Sequence, residues 1–236
     1  MVEALVITPV KDSLETLKGT IEAIRNAEGN FLYTIYNDFS SVETKTFLDE
    51  EKGNYRFEVV HLEDITSNPS PNYKLTLQLA RKQAANLNVP LIIIESDIII
   101  KNETISSLIE LNREIDNPGM IGAITVDKKG DYNFPYQHQR NKSKKIINTN
   151  HSLSFCCTLL NENFLALYDF KSLSSKKHWF DVFISRRSKK LGFNNYLAKN
   201  LEVVHLPHSS RPWKRLKYSN PNKYYLYKFL KRRDRI

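Results

Sequence analysis

Apolar positions in the first 126 residues follow two alternating periods. Unbroken apolar or β-branched runs predict strands at Ala4–Val10, Phe31–Tyr36, Phe57–Leu62, Leu91–Ile94 and Met120–Val126. Between them, apolar residues recur at helical spacing. Leu14, Leu17, Ile21 and Ile24 follow Asp12-x-x-Glu15, which has the form of a capping box. Ser41–Lys52 reads as a second helix. Asn72–Leu87 reads as a third, with Leu75, Leu79 and Ala80 on one side, and Asn102 opens a fourth that runs to Ile115. Alternating strand and helix units of this length predict a parallel sheet covered by helices.

The pattern changes after Val126. Asp127–Asn150 is polar, basic and aperiodic, which predicts a mobile loop or an inserted binding element. Ser152–Leu160 reads as a strand, Phe164–Phe170 and Trp179–Leu191 as helices, and Glu202–Leu206 as a short strand. Asn220-Pro221 opens a last helix with proline at its first position. No internal repeat is present. The chain divides into one domain over 1–210 and a basic, aromatic tail over 211–236.

Composition narrows the function classes. With 236 residues and 41% hydrophobic content the chain can bury a full core. No run of 18 apolar residues exists, so no membrane-spanning helix is expected. The start MVEALVITPV has an early acid and no basic region, unlike a secretory signal, so a cytoplasmic location is expected and the sequons at Asn102 and Asn141 are chance matches. The adjacent Cys156 and Cys157 are poorly placed for a mutual disulfide and too few for zinc, and read as core. The net charge of +9 lies wholly in residues 211–236, which hold ten bases and one acid, while the rest holds 25 of each. On a helix from Pro221, Lys228, Lys231, Arg232 and Arg235 fall within about a 100° arc, with Tyr225, Leu226, Phe229 and Leu230 mostly opposite. That is a basic amphipathic helix suited to an anionic membrane surface at the inner face, with Trp213 and the tyrosines at headgroup level. A helix packed on the body with a solvated basic face is the alternative. No zinc module, recognition-helix pattern or single-strand aromatic motif points to nucleic acid.

The candidate chemistry sits at strand ends. Leu91–Ile94 runs directly into Glu95-Ser96-Asp97. Residues i and i+2 of an extended backbone point the same way, so both carboxylates are expected to address one point. Thr8 and Asn37-Asp38 end earlier strands. Converging on one sheet edge, where ligands bind in open α/β sheets, these groups would line a crevice for a nucleotide diphosphate carried by a hard divalent cation. No G-x-G-x-x-G or P-loop is present.

These residues resemble the family 2 inverting glycosyltransferases of the GT-A fold, from Ile7 to about Pro207. Ile7-Thr8-Pro9-Val10 is similar to the opening strand, with Lys11 and Asp12 in place of the usual Tyr and Asn. Asn37-Asp38-Phe39-Ser40 resembles the Asp-Asp-Gly-Ser that contacts base and ribose. Asn72 stands at the usual distance before the acidic motif, with Lys74 where the family has glycine. Glu95-Ser96-Asp97 resembles the Asp-x-Asp metal motif. Phe180-Asp181-Val182-Phe183, with Arg187 and Leu191-Gly192-Phe193, resembles the segment that carries the base. Val203-Val204-His205 resembles the late Val-x-His.

The resemblance implies a central, mostly parallel mixed sheet flanked by helices. It implies sugar transfer with inversion from a nucleoside diphosphate donor to a hydroxyl of a glycan or lipid-linked acceptor, in surface glycan synthesis. Asp181 would be the base. Asp97 and His205 would hold Mn²⁺ or Mg²⁺, with His208 the competing ligand. Thr8, Pro9, Asn37, Asp38, Asn72, Glu95, Ser96 and Arg187 would bind the nucleotide sugar. The departures at Asn37, Phe39 and Lys74 keep open a non-catalytic, membrane-associated binding protein on the same fold; nucleotidyl transfer is a further enzymatic alternative.

Overall fold

Residues of both parities on the central strands are buried, because helices cover the sheet on both faces. On Leu91–Ile94, Ile92 and Ile94 enter one apolar layer, and Leu91 and Ile93 the other. An uninterrupted apolar run is what a two-sided environment selects. The structure, a computed structural model, describes residues 1–12, 14–137, 139, 145–174, 179–207 and 220–230.

In chain order the strands are β1 Ala4–Val10, β2 Phe31–Asn37, β3 Glu58–His61, β4 Leu91–Ile94, β5 Ile98–Ile99, β6 Pro118–Val126, β7 Ile146–Asn148, β8 Cys157–Leu160 and β9 Asn194–His205. The helices are α1 Leu14–Arg25, α2 Val42–Tyr55, α3 Tyr73–Leu87, α4 Thr104–Glu114, α5 Glu162–Leu167, α6 Phe180–Lys190 and α7 Pro221–Leu230. One mixed sheet runs β3-β2-β1-β4-β8-β6-β9-β5, with β7 also on β9. β1 to β4 are mutually parallel. β8 is antiparallel between β4 and β6, and β6 is parallel to β9. β1, β2, β3, β4, β6 and β9 therefore all end at one edge, which collects Asn37, His61, Glu95 and His205.

Helix ends are satisfied by local chemistry. Ser41 accepts from the Thr44 N–H at the start of α2 at 3.4 Å. Asn161 accepts from the Asn163 and Phe164 N–H groups at the start of α5. α3 ends on Asn88 in the left-handed region at φ 54, a conformation asparagine tolerates.

The expected parallel core is present, and the periphery differs. β9 begins at Asn194 instead of Glu202, because its first half is polar and pairs in parallel with β6. β5 and β7 were not expected. They are two and three residues long, too short for any period. Within Asp127–Asn150, Tyr132 bridges to Val126, and the Thr125 hydroxyl donates to the carbonyls of Asn133 and Phe134, so residues 132–134 are fixed against β6.

α6 is held close to the sheet by a buried polar chain. Ser188 Oγ donates to Asn195 Oδ1 at 2.7 Å, and Asn195 Nδ2 donates to the Ser185 carbonyl at 2.9 Å. The approach requires glycine at 119: a Cβ there would meet Ser188 Oγ at 2.1 Å and Phe193 Cβ at 2.7 Å. Gly119→Ala is expected to destabilise the fold by about 1–3 kcal/mol through overpacking. Gly53→Ala, near the end of α2 with nothing within 4 Å, is expected to stabilise by about 0.5–1 kcal/mol. Chemical denaturation midpoints of the two variants should move in opposite directions.

Candidate active site

The expected extended course of Glu95–Asp97 is not what forms. β4 stops at Ile94, and Glu95 enters a tight turn in which its carbonyl accepts from the Ile98 N–H at 3.2 Å. The turn reverses the chain into β5, whose Ile98 pairs with His205 of β9. The Leu206 N–H closes the arrangement by donating to the Asp97 carbonyl at 2.8 Å. Asp97 and His205 thus meet because two short antiparallel segments pair, not because two side chains share a strand face.

Their geometry is that of a cation site. His205 Nε2 lies 3.5 Å from Asp97 Oδ2, and both residues are buried. His205 Nδ1 faces the Phe134 carbonyl oxygen at 2.6 Å. A carbonyl only accepts, so Nδ1 carries a proton, and Nε2 is the ring nitrogen that faces the carboxylate. Asp97 Oδ1 is buried with no hydrogen-bond partner among the described residues. A buried carboxylate oxygen with no donor, next to an imidazole nitrogen able to ligate, fits a bound cation. Among the described residues no three His, Cys, Asp or Glu side chains form a metal cluster. Asp97 and His205 would therefore be a sparse ligand set, of the kind used for Mg²⁺ or Mn²⁺ when substrate oxygens complete the shell.

A second cluster stands beside this turn. Tyr73, the first residue of α3, lies between Phe155 and Phe180, with ring centroids at 6.3 and 6.0 Å and interplanar angles of 14° and 5°. Burial raises its phenol well above the usual tyrosine range, and the charges of Glu95 and then Asp181 push it the same way. The charges of Glu95, just past a strand end, and of Asp181, in the first turn of α6, therefore both act on one phenol. Burial likewise raises Tyr136, with a contribution from Asp181. Tyr136 accepts from the Ser154 N–H at 3.0 Å. Tyr73, Phe134, Tyr136 and Phe155 were not singled out in the sequence. Their only local signal was aromatic residues beside Asn72, within the polar stretch after Val126 and in the strand pattern of Ser152–Leu160.

The other candidates are distributed unevenly. Asp38 and Asn72 meet, and they bond to each other: the Asp38 carboxylate accepts from Ser70 Oγ, the Asn72 N–H and Asn72 Nδ2, each at 2.8 Å. Asn37 is buried, with Nδ2 2.9 Å from His61 Nδ1 and Oδ1 accepting from the Ser40 N–H. The Thr8 hydroxyl is buried and accepts from Tyr33 on the sheet face away from Tyr73. Pro9 is half-buried, and Ser96 is buried in the turn. Arg187 is exposed and lies over the Tyr168 ring at 5.6 Å, away from the carboxylates. Asp12 accepts from the Ser41 N–H at 2.6 Å and pairs with Lys11. His208, Trp213 and the bases at 231–235 lie outside the described residues.

No protein-family model matches the sequence, and no curated protein matches it. Solved structures do. Over 92% of this chain, S. aureus TarS 1–349 superposes with a TM-score of 0.63 at 12% identity. The same protein in complex with UDP-GlcNAc gives 0.65 at 13% over 89%. The mannosyltransferase PcManGT from Pyrobaculum calidifontis, in complex with GDP-Man and Mn²⁺, gives 0.66 at 11% over 90%. This chain spans 64%, 60% and 59% of those three chains. The fold is therefore the GT-A glycosyltransferase fold, a curled, mostly parallel sheet flanked by helices.

The Asp38 clamp is testable by itself. Asp38→Ala removes the acceptor of three hydrogen bonds at the start of α3 and is expected to cost about 1–3 kcal/mol. Hydrogen exchange should accelerate at residues 70–76, and exchange at α4 should follow only the global loss of stability.

Proposed function

We propose that the chain is a metal-dependent inverting glycosyltransferase that moves a sugar from a nucleoside diphosphate donor to a hydroxyl of a glycan or lipid-linked acceptor. The observation that carries this reading is the buried, unpartnered Asp97 Oδ1 beside His205, on a fold shared with enzymes solved with nucleotide sugars. Asp97 and His205 would hold Mn²⁺ or Mg²⁺, which supplies positive charge against the departing diphosphate. The donor nucleotide lies along the edge built by Asn37, Asp38, Asn72 and Glu95. Asp181 accepts the proton of the acceptor hydroxyl as that oxygen bonds to the anomeric carbon. The bond from that carbon to the diphosphate breaks, and the electron pair leaves with the nucleoside diphosphate. Inversion requires Asp181 and the diphosphate to lie on opposite faces of the sugar, and Asp181 stands on α6, a different element from the strand-end acids.

The tail belongs to the same proposal. α7 buries Tyr224 at 5% exposure, while Leu226 and Leu230 are 57% and 64% exposed. Two residues along a helix is about 200° of rotation, so the helix turns this leucine pair away from the side that Tyr224 buries. Residues 220–236 carry six bases and one acid. An outward apolar pair among bases fits an anionic membrane at the cytoplasmic face, where each base contributes on the order of 1 kcal/mol. Among the described residues no helix is long and apolar enough to cross a membrane.

Two substitutions separate binding from chemistry. Asp97→Asn should abolish Mn²⁺-dependent thermal stabilisation by nucleotide sugars and leave the fold intact. Asp181→Asn should retain that stabilisation and lose transfer by about 100-fold or more. Retained metal-dependent binding in the first variant, or lost binding in the second, would sink the corresponding assignment. For the tail, the double variant Leu226→Ser and Leu230→Ser should co-sediment less with anionic vesicles than the parent at equal stability. Added salt should weaken both proteins' binding, and unchanged sedimentation contradicts the membrane reading.

A further inference from the structure

One buried polar group beside the proposed base has no task within the fold. The Tyr73 hydroxyl oxygen is buried and has no hydrogen-bond partner among the described residues. Folded proteins rarely leave such a group unpaired, and those that do tend to reserve it for a ligand or an ordered water. The ring that carries it is fixed. Phe155 and Phe180 stack on it in offset fashion, with centroids at 6.3 and 6.0 Å and nearly parallel planes, and its backbone follows directly on the Asp38–Asn72 clamp. The hydroxyl therefore points in one direction, at a place where the charges of Glu95 and Asp181 both act.

We propose that Tyr73 binds the donor sugar, its hydroxyl taking a hydroxyl of the transferred sugar between Glu95 and Asp181. This rests on the donor reading given above. Three features select a sugar over other ligands. Burial and the two carboxylates keep the phenol protonated, so it offers one donor and one acceptor and is no base. A sugar hydroxyl matches that pair. The negative charges that act there repel a phosphate and favour a neutral, hydroxyl-bearing ligand. The position also suits the transferred unit, since the charges of a strand-end acid and of the proposed base on α6 both reach it. Tyr73 takes no part in proton transfer; it fixes the ring of the sugar against the anomeric attack.

Tyr73→Phe keeps the ring stack and removes only the hydroxyl. In Mn²⁺, binding of UDP-GlcNAc and GDP-mannose is compared with binding of UDP and GDP, for parent and variant, by titration calorimetry. Ligand-free melting temperatures are measured alongside. The expected result is a loss of about tenfold in affinity for whichever nucleotide sugar the parent binds. Affinity for the matching nucleoside diphosphate should stay within about twofold, and the ligand-free melting temperature should be equal or higher, because an unpaired buried hydroxyl has been removed. A lower melting temperature shows that the hydroxyl serves the fold and overturns the proposal. Equal nucleotide-sugar affinity in parent and variant overturns it as well. A parent that binds none of the four probes overturns the donor reading itself, and this inference with it. The two failures are therefore distinguishable.

Discussion

A carboxylate oxygen removed from water must find a proton donor or a cation, and Asp97 Oδ1 has found no donor in the described protein. The rest of the carboxyl edge is arranged around that constraint. β5 exists only as a two-residue return that lays Ile98 against His205, and this pairing carries the imidazole to the carboxylate. The segment after β6 then fixes the ring, since Thr125 holds the Asn133 and Phe134 carbonyls and Phe134 takes His205 Nδ1. Asn133 Nδ2 also donates to the His205 carbonyl at 3.0 Å. A stretch that reads as an aperiodic loop thus sets the tautomer of a residue some seventy positions later.

The core of this architecture was legible because it is two-sided. Leu91–Ile94 and Met120–Val126 read as buried strands since every position must be apolar when helices cover both faces. The missed elements are those whose pairing is non-local. The first half of β9 is rich in asparagine, and its Asn195 is spent on a buried network with Ser185 and Ser188; no window of sequence reveals that. Glu95 and Asp97 were legible as chemistry and not as geometry, because the turn that separates them depends on β9. The recessed Tyr73 depends on Phe155 and Phe180, which are 82 and 107 residues away in the chain. Asp38 and Asn72 each stood out in the sequence singly, whereas their mutual clamp needs the fold that brings residues 68–72 back to β2.

The three departures from the family pattern are absorbed locally. Phe39 stands where the family has glycine, and its backbone keeps the left-handed conformation at φ 56 that glycine adopts without penalty. Its carbonyl is bound by the Lys11 ammonium. Asn37 replaces an acid and pairs with His61, which in turn reaches Asp49 at 3.3 Å. The edge loses a charge there and keeps a hydrogen-bonded strand end. Both residues are thus held by local contacts at the strand end.

Lys74 is the third departure. Its ammonium donates to the Lys171 carbonyl at 3.0 Å and the Leu173 carbonyl at 2.5 Å, which ties the first turn of α3 to the segment ahead of α6. The acceptors are carbonyls, so this tie has no countercharge for dissolved ions to screen and no acidic partner to neutralise. Surface ion pairs such as Arg113–Glu3, at 2.8 Å, weaken as ionic strength rises. The joint between the first turn of α3 and the segment ahead of α6 is thus the more salt-tolerant kind of contact, and it should hold at ionic strengths that loosen the ion pairs on the surface.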